Sequence, residues 1–154
     1  MSVDFYVAVP AANWPSAAAV QQCMTERAYP VEVQRFPHFD PKRSVNDGVL
    51  LALEGDKQAY LEGELSPATA VPADVKLINE RISTTGDFRV TDEHALMSIR
   101  IQSAPEELRG AAYLISSLVI CYGGYGFEPQ GNAHGREDFS RPLLAAANAL
   151  RGQN

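Results

Sequence analysis

The 154-residue sequence predicts a single α+β domain over residues 1–154, a two-layer sandwich of a mixed, mostly antiparallel sheet with helices packed on one face. Some segments alternate apolar and polar residues with the period of two that is typical of strands. Others repeat apolar residues at spacings of three and four, as an amphipathic helix does. The connections mix short hairpins with crossovers long enough for a helix, so ferredoxin-like elements are possible.

The first segment of the chain predicts a strand, a helix and a second strand. Apolar residues occupy every second position from Val3 to Val9, and Pro10 ends this strand. A helix begins at Pro15 and ends before Pro30, because proline is tolerated in the first turn of a helix but not in its interior. Val31 to Phe36 is the second predicted strand.

A long polar loop and a hairpin come next. Residues 37–48 contain two prolines and no regular pattern, and loops of this length are often functional or mobile. Val49 to Leu53 and Ala59 to Leu65 flank a Glu-Gly-Asp-Lys turn and predict a β-hairpin. Polar residues of this hairpin and of a later strand predict that one side of the sheet faces water. They are Tyr60, Glu62, Glu64, Ser98, Arg100 and Gln102.

Residues 72–101 predict a helix and a strong strand. Pro72 begins the helix and Gly86 is its expected stop. Phe88 and Val90 are expected to add a short strand, and Met97 to Ile101 alternate clearly enough to predict another.

The last third of the chain contains the most apolar helix. Ser103 to Glu106 match a capping box, and the helix is expected to run from about Ala104 to Tyr122 as the core element. Tyr125 to Glu128 predict the next strand. Ser140 is expected to cap a final short helix, which Gly152 follows.

Composition restricts the classes of function. A net charge of −6 argues against non-specific binding to nucleic acid, whose phosphates would be repelled. The longest apolar run is too short to span a bilayer, and the first residues lack the basic region of a signal peptide. Cys23 and Cys121 are expected to be buried free thiols. Together these observations predict a cytoplasmic protein, and the alanine-rich helices hint at a bacterial source.

The segment from Gly123 to Asp138 is the predicted binding surface. It combines five glycines with aromatic and polar side chains, a composition suited to a pocket with aromatic walls. The alternative interpretation is a helix end, a strand and a loop that position the last helix. The candidate ligand- or partner-binding residues are Tyr122, Tyr125, Phe127, Glu128, Asn132, His134 and Arg136.

Other polar groups favour structural roles. His38 with Asp40, and the Asp92-Glu93-His94 triplet, could contribute to acid–base or metal chemistry, but a polar turn explains each group more simply. Trp14 is either an exposed interface anchor or a side chain packed on the start of its helix. The common catalytic and nucleotide-binding motifs are absent from the sequence, and nothing in it calls for a metal or cofactor.

The sequence therefore favours a non-enzymatic cytoplasmic binding or regulatory domain for a protein partner, of the kind a toxin-neutralising protein uses to sequester its target. One alternative is a small-molecule sensor. Another is a hydrolase-type enzyme that uses His134 or His38 with nearby carboxylates. We expect an exposed acidic patch in the first case, an enclosed pocket in the second, and a histidine close to two carboxylates in the third.

Overall fold

The computed structural model describes residues 2–83 and 88–151, which form one antiparallel sheet flanked by helices. The strands are β1 (Val3–Pro10), β2 (Val31–Arg35), β3 (Val49–Leu53), β4 (Gln58–Pro67), β5 (His94–Ile101), β6 (Tyr125–Glu128) and β7 (Ala133–Gly135). The helices are α1 (Ala17–Glu26), α2 (Pro72–Ile82), α3 (Pro105–Tyr122) and α4 (Glu137–Leu150). The predicted α+β class is confirmed.

The strands lie in the order β2-β3-β4-β5-β1-β6-β7, and every neighbouring pair is antiparallel. β1 is central, because it pairs along its whole length with β5 and over three residues with β6. The path β1-α1-β4-β5-α3-β6 is a β-α-β-β-α-β arrangement of the ferredoxin-like type. β2 and β3 are inserted before β4 and extend the sheet on that side, where a register shift between Val33 and Arg35 interrupts the outermost ladder.

The main core lies between the sheet and three helices, α1, α3 and α4. α3 contributes most to it, since every residue from Arg109 to Val119 is buried. The helix α2 packs on the opposite face of the sheet, where Ile78 and Ile82 join a smaller core. The predicted placement of helices on one face therefore holds for α1, α3 and α4, and α2 is the exception. Among the described residues, none of the helices has the length and apolar character needed to span a membrane.

Two predicted caps are wrong. α3 begins at Pro105 after Ala104, and neither Ser103 nor Glu106 makes the expected capping bonds. Instead the Glu107 carboxylate accepts a hydrogen bond from the Gln102 backbone N–H at 3.3 Å. Pro105 is the first residue of α3, and a proline favours extended dihedrals at the residue before it. Ala104 is therefore extended, and the helix begins one residue later than expected.

The last helix begins four residues earlier than the predicted cap at Ser140 implies, with Arg136 at the cap position. Ser140 is a buried residue within α4 rather than its cap, and its hydroxyl donates to the Glu137 carbonyl oxygen at 3.2 Å. The preceding turn is held by Asp138, whose carboxylate accepts from the Arg136 backbone N–H at 3.0 Å.

The expected strand at Phe88 and Val90 is also wrong, since neither residue belongs to a strand. The side-chain amide of Asn79 bonds to both backbone groups of Val90, at 2.8 and 3.0 Å, and so fixes this extended segment to α2. Gly86 and Gly152, the expected helix stops, lie outside the described residues.

Cys23 and Cys121 form a disulfide between α1 and the last turn of α3, so the prediction of free thiols is wrong. Their separation of 98 residues concealed this pairing, because no local pattern brings α1 beside the end of α3. Cys121 is also exposed rather than buried among apolar neighbours. Because the two cysteines are paired, they give no support for a reducing compartment.

A charged cluster fastens the β3–β4 turn to two helices. The buried Arg109 donates to Glu54 at 2.6 Å and to the Tyr113 hydroxyl at 3.2 Å. Arg151, at the end of α4, donates to the same Glu54 carboxylate at 3.2 Å. The hydrogen bond from Arg109 is the main cause that holds the pKa of Glu54 below its usual value of 4.5, and the bond from Arg151 lowers it further.

Ile115 is fully buried at the centre of α3. We expect Ile115→Ala to lower the free energy of unfolding by about 2–5 kcal/mol, because truncation removes buried apolar surface and leaves a cavity. Urea denaturation of the parent and the variant measures this difference. A loss below about 0.5 kcal/mol would show that this face of α3 does not pack in the core.

Glu54→Gln tests the charged cluster through pH. A carboxyl group whose pKa is lowered on folding contributes its full stabilisation above the usual pKa and loses it as the pH falls through the folded-state pKa. We therefore expect Glu54→Gln to be less stable than the parent at pH 7, with the difference shrinking as the pH is lowered toward about 3.

Urea melts across this pH range measure the Glu54 effect. Glu80→Gln, at an exposed residue of α2 that pairs only weakly with Lys76, is the matched control. A constant difference between Glu54→Gln and the parent at every pH would contradict the role of the ionised carboxylate.

Candidate functional site

The seven residues predicted to bind a ligand do not form one pocket. Tyr122, at the end of α3, packs against the main core on the helical face of the sheet, and burial followed by the Glu26 carboxylate raises its pKa. Tyr125 packs against the smaller core on the other face. Phe127 is only 1% exposed and belongs to that same core, so its side chain is occupied by packing.

Arg136 lies in a cluster of aromatic rings on the α2 side of the sheet. Its guanidinium carbon is 5.4 Å from the ring centroids of both Phe88 and Tyr125, which stack on each other at 4.1 Å. It also donates to the Gly123 carbonyl oxygen at 3.1 Å. The guanidinium chosen as a ligand contact thus ties the end of α3 to the aromatic cluster.

His134 joins the same cluster through Tyr125. The Tyr125 hydroxyl and Nδ1 of His134 are 2.6 Å apart, a short hydrogen bond. His94 approaches from the other side, with its ring 5.2 Å from that of Phe88. Burial lowers the pKa of His94, and its Nδ1 accepts from the Thr91 backbone N–H at 2.9 Å.

Glu128 and Asn132 shape the turn between β6 and β7. The Glu128 carboxylate accepts from the Gly131 backbone N–H at 2.6 Å, and Asn132 has a positive φ of 55°. With His134 they line an open cleft of about 400 Å³ between this hairpin and α4. Its apolar wall includes Phe5, Phe139, Pro142 and Leu143. The predicted residues are therefore divided between a cleft, an aromatic cluster and the two cores.

The turn interpretation of the loop 37–48 fits its contacts. Asp40 accepts from the Lys42 backbone N–H at 2.8 Å and pairs with Arg43 at 3.1 Å, and these groups lower its pKa. His38 is exposed. Trp14 stacks on Phe36 at 5.3 Å and donates to the Pro37 carbonyl oxygen at 3.2 Å, so it packs against the start of the loop.

An acidic groove lies on the face of the sheet that α2 leaves open. It has a volume of about 480 Å³ and presents three carboxylates against one guanidinium. The lining residues are Asp4, Tyr6, Asn46, Tyr60, Glu62, Gly63, Glu64, Ser98, Ile99 and Arg100. The exposed rows predicted from alternation form most of its floor. Sequence reasoning identified those rows as a wet surface but did not recognise them as a site.

Strand order brings the charges of the acidic groove together. Arg100 pairs with Glu62 on one side of β5 in the ladder and with Asp4 on the other, and it forms an ion pair with Asp4 at 2.8 Å. Among the described residues, no ion pair within 4.0 Å involves Glu62 or Glu64. The Glu64 carboxylate accepts a hydrogen bond from the Ser66 hydroxyl at 3.3 Å, and the Glu62 carboxylate helps to raise the pKa of Arg100. With Arg100 paired to Asp4, the acidic groove keeps an excess of negative charge.

The pKa of Tyr6, at one end of the acidic groove, is affected by the carboxylates around it. Burial is the main cause that raises the pKa of Tyr6, and the carboxylates of Asp74, Asp4 and Glu64 raise it further. Arg100 opposes this effect. Asp74, in the first turn of α2, therefore acts on the same hydroxyl as the carboxylates of the acidic groove.

Loop 37–48 supplies a wall of the acidic groove. Val45 bridges to Leu65 of β4, and the hydroxyls of Ser44 and Ser66 are 2.6 Å apart, so the loop is attached beside the groove. Gly48 has a positive φ of 71°, and a Cβ there would meet the Tyr60 hydroxyl at 2.9 Å. A glycine at this point lets the loop pass closely beside the Tyr60 ring.

Neither a metal-binding group of side chains nor a comparison with known proteins identifies the function of this chain. Among residues 2–83 and 88–151, no group of three or more His, Cys, Asp or Glu side chains could hold a metal ion. Comparisons with protein-family models, with curated proteins and with solved structures give no match.

The contacts of Arg136 change what its removal should do. The sequence alone suggests that Arg136→Ala and His134→Ala leave stability unchanged and weaken binding. Because the guanidinium contacts two rings and the Gly123 carbonyl, we expect Arg136→Ala to cost about 1 kcal/mol of stability. Urea melts measure this loss.

The control for Arg136 is Arg141→Ala on α4, whose ion pair with Glu137 is exposed on both sides. Such surface pairs contribute about 0–1 kcal/mol, so this variant should stay close to the parent. Equal stability of Arg136→Ala and the parent would show that the aromatic cluster does not depend on the guanidinium and would restore Arg136 as a free ligand contact.

Proposed function

We propose that this protein is a non-enzymatic binding domain that sequesters a protein partner through the acidic groove. The carrying observation is the pair of carboxylates, Glu62 and Glu64, that line an open sheet face with no ion-pair partner among the described residues. The partner chemistry that complements this surface is a segment bearing lysine or arginine. A regulatory or toxin-neutralising role fits a domain of this kind.

The aromatic residues of the acidic groove support the same partner. Tyr60 is 46% exposed, the only large hydrophobic side chain so exposed among the described residues. Arg35 already lies 5.4 Å from its ring centroid, which indicates that this ring accepts a guanidinium. A cation from a partner would meet the two carboxylates directly, and it would share the Tyr60 ring only by displacing Arg35 or by using the opposite ring face. This combination favours specific recognition over loose attraction of positive charge.

The proposal also concerns the cellular compartment in which the protein acts. The sequence predicts the cytoplasm, but one of its supports, the free thiols, is removed by the Cys23–Cys121 disulfide. Disulfides persist in oxidising compartments and are rare in a reducing cytoplasm. The redox state of these two cysteines in the source cells therefore distinguishes a cytoplasmic location from an oxidising one.

Removing the two charges of the acidic groove tests the proposal. We expect the double variant Glu62→Gln, Glu64→Gln to lose a partner that the parent captures from its source cells. The matched control, Glu26→Gln with Glu137→Gln, removes the same charge from exposed residues of α1 and α4. Quantitative mass spectrometry of the captured proteins, repeated at low and high salt, compares the three chains.

A partner retained by the control, lost by the groove variant and weakened by salt would support the proposal. Equal capture by the parent and both variants would contradict it. Stability of each variant is checked by thermal melting, so that loss of capture is not confused with unfolding.

A small-molecule sensor is the second candidate function. The observation that favours it is the cleft between β6–β7 and α4, which is open rather than enclosed as expected for a sensor. Phe5, Phe139 and Leu143 offer an apolar wall, and Glu128 and Asp138 supply carboxylates. Such a cleft suits a compact organic cation. A parent chain that captures no protein but is stabilised by such a compound would favour this candidate over the first.

A further inference from the structure

The two sulfur atoms of the Cys23–Cys121 disulfide have unequal surroundings. Cys23 is 5% exposed, and its Sγ lies 3.8 Å from the Ser117 carbonyl oxygen inside the protein. Cys121 is exposed on the last turn of α3. Solvent therefore borders the Cys121 side of the bond, while protein atoms enclose the Cys23 side.

α1 is held in place by contacts that do not depend on the disulfide. Val20 and Met24 are fully buried in the main core. The side-chain amide of Gln21 donates to the Val31 carbonyl oxygen at 3.1 Å and accepts from the Val33 backbone N–H at 2.6 Å. Opening the disulfide would leave α1 packed on the core and bonded to β2, so the two cysteines would stay close enough to join again.

We propose that the Cys23–Cys121 disulfide is a reversible modification site for low-molecular-weight thiols. The thiolate of such a compound attacks Sγ of Cys121, the bond between the two cysteine sulfurs breaks, and Sγ of Cys23 leaves with the electron pair. Cys23 then takes a proton from solvent. The product carries a mixed disulfide on Cys121 and a thiol on Cys23, and no external oxidant is consumed.

The reaction continues or reverses with the supply of thiol. A second thiolate attacks the sulfur of the small molecule in the mixed disulfide and releases Cys121, which leaves a symmetric small-molecule disulfide and a fully reduced protein. In the absence of excess thiol, the Cys23 thiol loses its proton to solvent and its thiolate attacks Sγ of Cys121. The small-molecule thiolate then leaves with the electron pair, and the original bond is restored. The fraction of chains with an intact disulfide between α1 and α3 thus depends on the ratio of thiol to disulfide in the surroundings.

The experiment uses the oxidised full chain and reduced glutathione. After acid quenching, intact mass and peptide mapping locate the adduct. We expect the first adduct on Cys121, with Cys23 free but alkylated only after unfolding. The fully reduced chain should stay folded by circular dichroism, with a Tm lowered by more than about 5 °C, because the cross-link no longer restricts the unfolded chain.

Several outcomes in the glutathione experiment would overturn the proposal. These are free thiols in the chain before treatment, an adduct mainly on Cys23, equal adducts on both cysteines, and reaction only after unfolding in urea. A reduced chain that is unfolded at room temperature would also overturn it, because the site would then not be reversible in the native protein.

Single variants provide an independent arm with oxidised glutathione. Cys23→Ser leaves the exposed Cys121 thiol, and Cys121→Ser leaves the buried Cys23 thiol. We expect native Cys121 to react at least about tenfold faster than native Cys23, and the two rates to become similar in urea. Similar rates in the native state would contradict the assigned direction. If either variant does not fold, the parent chain still decides the question.

Discussion

The pairing of β1 on both of its edges is the constraint on which the rest of the structure depends. β1 is the first strand in the chain, yet its partners β5 and β6 are formed from residues 94–101 and 125–128. The sheet is therefore completed only when the two halves of the chain meet. Alternate residues of β1 then serve opposite faces. Val7 and Val9 enter the helical core, while Tyr6 and Ala8 enter the smaller core beneath α2.

On the face of the sheet that carries α2, one part is covered by the smaller core and the other part is open to water. α2 and the segment held by Asn79 cover one end of the second face and leave β4, β5 and the start of β1 exposed. Carboxylates on this open part cost little, because water solvates them there. The same carboxylates lie around the half-buried Tyr6, where the dielectric is lower and their field is felt more strongly. The acidic groove thus lies where the covered and open parts of the sheet meet.

Local patterns in the sequence predicted most elements, and features that depend on distant residues were missed. Period-two alternation located β1 and β5, a turn signal between two apolar runs located the hairpin of β3 and β4, and helical spacing located α3. The three residues of β7 carry no pattern, and the disulfide joins helices that are adjacent only in the folded chain. The acidic groove combines side chains of β1, β4 and β5, so its charges converge only once strand order is known. The predicted binding segment was chosen for local density of polar residues, and many of those groups bond to one another.

The register shift in β2 has a consequence for the behaviour of the protein at high concentration. β2 is one edge of the sheet, where a strand can offer backbone groups to a second copy of the chain. The Gln21 side-chain amide already bonds to two of these groups, the Val31 carbonyl oxygen and the Val33 N–H. The shift between Val33 and Arg35 breaks the regular spacing of those groups, and Arg35 places a positive charge beside it. At the other edge, β7 is only three residues long. Both edges are poor templates for the strand-to-strand association through which sheet proteins aggregate.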